Sequence, residues 1–316
     1  MKLYLAPMEG VVDREMRQVL TQVGGFDYCV TEFVRITERL MPPRVFHRLC
    51  PELLHGGKTV GGTPVIVQIL GGLPEVMAAN AQRAAQLGAP GIDINFGCPS
   101  KWTNRKAGGA ILLKEPERIH QIVAAVRDAV PAQIPVSAKM RLGYDDTVLT
   151  LEIVDAIVQA NADHLTVHAR TKADGYKPPA QWEWLARIRE HARIPVVANG
   201  DINSVEDFVR CRDISGCDQF MLGRGAIAMP DLALQIRAAS TADAWTWQQV
   251  LLTVKQLVDL MQQRRDVKEQ QVKGRVKQWF FFLRRNYDEA DQLYQQLKKT
   301  QTLRQVQELI GYVDLP

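Results

Sequence analysis

The stretch Gly91-Ile92-Asp93-Ile94-Asn95-Phe96-Gly97-Cys98-Pro99 places an amide, a glycine, a thiol and a proline behind one apolar run. The run reads as a buried strand, and proline cannot extend a ladder. Cys98 is thereby delivered at the strand's C-terminal end, the end where parallel α/β folds bind ligands. A thiol there is a candidate for chemistry at that end. A small, buried, inert cysteine is the alternative. Similar polar endings recur: Pro7-Met8-Glu9, Glu32 with Arg35, Gln68, Lys139 with Arg141, His168 with Arg170, Asn199-Gly200-Asp201 and Gly223-Arg224-Gly225.

Asn199-Gly200-Asp201 and Gly223-Arg224-Gly225 combine glycines for close backbone approach with amide N–H groups and an arginine for bidentate contact. That is phosphate-binding chemistry, and barrels often bind phosphate on the loops after strands seven and eight. Gln68 offers a donor and an acceptor to a heterocycle edge. Lys139 suits either a charged ring system or an aldolase-type Schiff base. His168 is a ligand-binding residue in this company, or else a core histidine. The loop from Pro99 to Ala110 mixes Lys101, Trp102, Arg105 and Lys106 with glycines. Cations beside an aromatic ring suit an anionic polymer whose base must be reached; a plain surface loop is the alternative.

These residues need a scaffold that gathers strand ends. Strand-like runs fall near 3–7, 27–33, 64–70, 91–95, 135–141, 163–168, 195–199 and 217–222, with amphipathic segments between them such as 74–87, 116–129, 148–160 and 204–213. Alternating β and α units over about 240 residues predict a (β/α)8 TIM barrel. A doubly wound sheet is the runner-up, and its early GxGxxG turn is missing. From Trp245 the strand signals stop. The sequence therefore predicts a barrel over 1–240 and a small all-helical C-terminal domain over 241–316.

Net charge is +4, and residues 245–316 carry all of it. Within Arg264–Arg285 eight basic residues face two acidic ones. Such a stretch is either a footprint for nucleic acid or a solvated helix face. The five cysteines are widely spaced and form no CxxC pair. Neither a disulfide framework nor a metal site is expected, and a reducing cytoplasm is. No membrane span or leader segment is read, and a monomer is the expected state.

Together, Ala6-Pro7-Met8-Glu9-Gly10, Asn95-Phe96-Gly97-Cys98-Pro99, Lys139-Met140-Arg141, His168-Ala169-Arg170, Asn199-Gly200-Asp201 and Gly223-Arg224-Gly225 resemble the flavin-dependent tRNA-dihydrouridine synthases. Val45-Phe46-His47-Arg48 with Cys50-Pro51-Glu52-Leu53 resembles the bacterial subfamily C. The likeness extends into Arg275-Val276-Lys277-Gln278-Trp279, while Thr103 stands where the family often has valine. The resemblance implies tightly bound FMN, NADPH as reductant, and tRNA as substrate, modified at uridine-16 of the D-loop. It implies hydride delivery to uracil C6 and a proton from Cys98 to C5. It puts Pro7, Met8, Glu9, Gln68, Lys139 and His168 along the flavin, and Asn199, Gly200, Asp201, Gly223 and Arg224 on its phosphate. Asn95 would hold the uracil edge and Tyr176 would stack on it. Arg35, Arg141, Lys273, Arg275 and Trp279 would meet the tRNA. A flavin barrel dehydrogenase of a free pyrimidine or another small molecule is the alternative, and it leaves the basic helical segment unexplained.

Overall fold

A computed structural model describes residues 1–100, 103–104 and 108–312. The strands are β1 (Lys2–Leu5), β2 (Tyr28–Val30), β3 (Val34–Arg35), β4 (Val65–Leu70), β5 (Ile92–Asn95), β6 (Val136–Arg141), β7 (His164–His168), β8 (Val196–Asn199) and β9 (Gln219–Leu222). All pair in parallel. β2 bonds both β1 and β4, and β1 bonds β9, so the sheet closes on itself as a barrel. Of the expected second strand, 27–33, only Tyr28–Val30 is strand, and β3 follows just past it. Between them the Thr31 hydroxyl accepts the Gln68 N–H at 3.0 Å, taking the place of a ladder carbonyl. β3 then resumes pairing on β4 through Val34 and Arg35.

Helices cover the outside, so the strands are buried on both faces and read as continuous apolar runs. β4 is buried at every residue, Gln68 included. A polar side chain inside such a strand must find partners in the barrel interior.

After β9 the chain is helical: α1 (Arg224–Ala228), α2 (Leu232–Ala238), α3 (Trp247–Gln262), α4 (Glu269–Leu283), α5 (Asp288–Leu297) and α6 (Leu303–Leu309). A capping box, Thr246 with Gln249, starts α3. Val276, Trp279 and Phe280 of α4 share one apolar core with barrel residues. The Trp279 indole donates to the Ile227 carbonyl at 2.9 Å, tying α4 to α1, the helix directly after β9. No helix among the described residues is long and apolar enough to cross a membrane.

Candidate active site

The C-terminal ends of the strands open into one cavity of about 580 Å³. It takes Pro7, Met8 and Glu9 from after β1, Gln68 from β4, Asn95 and Cys98 from β5 and its loop, Lys139 and Arg141 from β6, and His168 and Tyr176 from β7 and its loop. Asn199, Gly200 and Asp201 after β8, and Gly223 and Arg224 after β9, complete the wall. The sequence expected all of these. It did not expect Phe33, or Phe282 of α4, which also line the cavity. Nothing local marks Phe282, because only the docking of α4 brings it there.

Cys98 is half-buried, while the other four cysteines are buried. Its thiol lies 3.8 Å from the Thr103 hydroxyl. The loop that carries it is held from below. Asn95 Oδ1 accepts the N–H groups of Gly97 and Cys98, each at 2.9 Å. Arg141 is 2 % exposed; its Nε donates to the Gly97 carbonyl and its Nη1 to the carbonyls of Thr171 and Gly175. Arg141 therefore staples the loops after β5 and β7, a use of guanidinium hydrogen bonds that the strand-end pattern did not foretell. The loop residues Lys101, Trp102, Arg105 and Lys106 lie outside the described residues.

Lys139 Nζ donates to Asn199 Oδ1 at 2.9 Å, and the Asn199 amide donates to the Met221 carbonyl at 2.9 Å. Burial pushes the Lys139 ammonium down and the Asp93 carboxyl up, while their mutual attraction opposes both shifts. Asp93 was not among the expected site residues. Its signal was a carboxylate inside an apolar strand, two positions before Asn95 and so on the same face.

The β7–β9 side is cationic. Arg170 pairs with Asp201 and donates to it, and Arg224 meets the same carboxylate at 3.5 Å. Two arginines against one aspartate leave a net positive charge beside Gly200 and Gly223. Gly200 has φ +125°, and a Cβ there would stand 3.1 Å from the His168 ring, so the backbone approach needs glycine. Burial, then the cations Arg141, Lys139, Arg170 and Arg224, hold His168 well below the usual imidazole range. It is neutral at pH 7. Arg170 Nη1 lies 3.2 Å from His168 Nε2. Arginine only donates, so Nε2 accepts and the proton sits on Nδ1. Tyr176 is 54 % exposed at the rim, with Arg141 and Arg224 each 5.1 Å from its ring. Arg35 stands at the opposite rim, 3.3 Å from Glu9.

Three of the expected tRNA contacts bond within the chain. Trp279 is 1 % exposed and spent on Ile227. Lys273 is buried and donates to the Gln301 carbonyl at 2.6 Å, while Lys277 donates to Thr300 at 3.0 Å. The two ammonium groups thus satisfy carbonyls of the connection between α5 and α6. Arg275 grips the barrel through the carbonyls of Gly10 and Val11 and through Asp13. These groups dock and brace the helical segment. On the same segment Phe281 is 41 % exposed, Arg284 lies 5.1 Å from its ring and 4.9 Å from Tyr294, and Arg285 lies 5.4 Å from Phe282. Arg285 also lines a second groove with Arg210, Arg224, Tyr176 and Trp182, continuous with the first cavity.

A model of the family described as dihydrouridine synthase matches residues 4–311. A tRNA-dihydrouridine(16) synthase of Aquipseudomonas alcaligenes is 48% identical over 98% of this chain and 99% of its own. One from Shewanella oneidensis is 49% identical over 97% and 96%. Among solved structures, a 2-naphthoyl-CoA reductase superposes with TM-score 0.58 at 15% identity, over 77% of this chain and 51% of its own. An old yellow enzyme homologue from Zymomonas mobilis gives 0.54 at 13% identity, over 78% and 90%. At such identities the structures testify to the barrel alone.

Proposed function

This chain belongs to the dihydrouridine synthase family, and on that premise we propose that it reduces the C5–C6 double bond of uridine-16 in the D-loop of tRNA, with FMN as cofactor and NADPH as reductant. The cavity carries the reading. It offers an apolar edge at Pro7 and Met8, a buried amide and ammonium at Gln68 and Lys139, and a net cationic corner beside two glycines. That donor set fits a flat heteroaromatic ring joined to a phosphate. Gln68, Lys139 and His168 would hold the ring, and Asn199, Gly200, Asp201, Gly223 and Arg224 the phosphate. When bound, FMN supplies the hydride that uracil C6 receives.

The chain's own residues do the rest. Cys98 gives its proton to C5, and the sulfur keeps the electron pair until solvent reprotonates it. The two transfers add one hydride and one proton, so the double bond is reduced and charge balances. Neutral His168 keeps one N–H donor and adds no further cation to a corner that already holds Arg170 and Arg224. Asn95 spends its carbonyl on the Cys98 loop and one N–H on Gln68, which leaves its second N–H for uracil. Tyr176, exposed between two arginines, is placed to stack on an unstacked base.

The barrel over 1–240 would do the chemistry and residues 241–316 would present the tRNA. Since α4 spends Lys273 and Arg275 on docking, phosphate contact falls to Arg284 and Arg285 with the exposed Phe281, continuing along the groove of Arg210 and Arg224, with Arg35 across the mouth. A cytoplasmic monomer suits a reaction on tRNA with a soluble reductant. A free-pyrimidine dehydrogenase would leave this aromatic and cationic ridge without use. The deciding experiment is dihydrouridine mapping in tRNA from cells lacking the protein. Loss confined to position 16 supports the reading, and an unchanged map overturns it.

A further inference from the structure

Asp93 touches neither the cavity's open space nor the Cys98 loop, yet it anchors a chain of hydrogen bonds that ends there. Gln68 and Asp93 are register partners on β4 and β5, and Asp93 faces Ser137 on β6. Asn95, two residues beyond Asp93, points to the same face. Ser137 Oγ donates to Asp93 Oδ1 at 2.7 Å, and Gln68 Nε2 donates to Asp93 Oδ2 at 2.6 Å. Asn95 Nδ2 donates to Gln68 Oε1 at 2.8 Å, and Asn95 Oδ1 accepts from Gly97 and Cys98 at 2.9 Å. The links are 0 %, 2 % and 9 % exposed for Gln68, Asp93 and Asn95.

The sense of this chain is set at one end. A carboxylate only accepts, so Gln68 must turn its NH₂ toward Asp93. Its carbonyl is then left for the Asn95 NH₂, and the Asn95 carbonyl is left for the two loop N–H groups. Reversing either amide sets donor against donor in a buried place where water cannot relieve it. Resting on the reading of Cys98 as proton donor, we propose that Asp93 is a positioning residue: it fixes the orientation of the Gln68 and Asn95 amides and so holds the Cys98 loop at the reacting base. Lys139, on the strand beyond, supplies the countercharge that lets a carboxylate act there.

The polarity can be broken and remade. In Asp93→Ala the Gln68 NH₂ loses its acceptor, and nothing fixes the sense of either amide. In Asp93→Asn with Gln68→Glu the charge moves one residue along and the Asn95 amide keeps its original sense. The primary readout is the alkylation rate of Cys98 by iodoacetamide, mapped by peptide mass spectrometry; the four buried cysteines report folding in the same sample. Asp93→Ala should raise Cys98 alkylation about tenfold, because the loop loses its two Asn95 anchors. It should lower single-turnover uridine reduction by about 10²-fold, the cost of a small misplacement. The double variant should keep alkylation at the parent rate. Asn95→Ala removes the last link and should match Asp93→Ala, and it decides the case if Asp93→Ala exposes the buried thiols. Parental alkylation in Asp93→Ala with those thiols still protected, or raised alkylation in the double variant, overturns the proposal. If Cys98→Ala keeps uridine reduction, the donor reading fails by itself, and the alkylation contrast still decides the relay.

Discussion

The barrel mouth and helix α4 both advertise polar side chains at regular intervals, and the fold spends them in opposite ways. At the mouth, residues from distant parts of the chain converge on the wall of one cavity. On α4, closely spaced cations turn inward to carbonyls of the barrel and of the chain beyond α5. A strand end in a barrel has a fixed destination, because closure aims every strand's C-terminal end at one mouth. A helix has no such constraint, and its cations serve whichever neighbour packs against their face. Charge density in a sequence thus marks a ligand only where the architecture leaves that charge unspent.

The sharpest way to break this contrast is at Cys98. Cys98→Ala should lower single-turnover dihydrouridine formation ~10²–10⁴-fold, the usual worth of a general acid, while FMN content and flavin reduction by NADPH stay at parental levels. Near-parental dihydrouridine yield would remove the thiol from the chemistry.

Next comes the docking role of α4. Trp279→Ala should cost about 3–5 kcal/mol of stability, the range for emptying a buried aromatic site, read by urea denaturation. An unfolding free energy equal to the parent's would show that Trp279 is not the brace described here.

The two cation sets of the helical segment can then be set against each other. Arg284→Ala with Arg285→Ala should weaken tRNA binding and flatten the salt slope by about 1.5, at roughly 0.7–0.9 per phosphate contact, with stability unchanged. Lys273→Ala with Arg275→Ala should do the reverse, losing about 1.5–3 kcal/mol for each charge-assisted hydrogen-bonding group and keeping the parental salt slope. If the second pair moves the slope and the first does not, the assignment of docking and tRNA-facing cations is inverted.

The smallest effect concerns a histidine in the barrel wall. Burial holds His164 down at about 4, against the ordinary imidazole value of 6.5. The unfolded chain therefore takes up a proton near pH 6.5 that the folded chain refuses until about pH 4. Stability from this group is complete above pH 6.5 and is lost as the pH falls through that window. His164→Gln should leave Tm at pH 7.5 close to parental and lessen its decline between pH 6.5 and 4.5. An unchanged decline would mean that His164 titrates normally. His168, held down in the same direction, keeps part of the slope.

The eight barrel strands were legible because parallel strands buried on both faces read as uninterrupted apolar runs, and the polar residues that end them fell into the cavity by closure alone. The break between β2 and β3 was not legible, since it depends on the Thr31 hydroxyl meeting an N–H of β4. Nor was the stapling of loops by Arg141: three carbonyls from two loops meet its guanidinium only after β6 and β7 pair. Asp93 was visible as a carboxylate in an apolar strand, but its partners lie on neighbouring strands. Sequence alone thus determined which residues end the strands and, through periodicity two, which share a face. Tertiary structure decided which groups keep free donors and which are consumed, because a hydrogen bond is made once and its partner is set by packing in three dimensions.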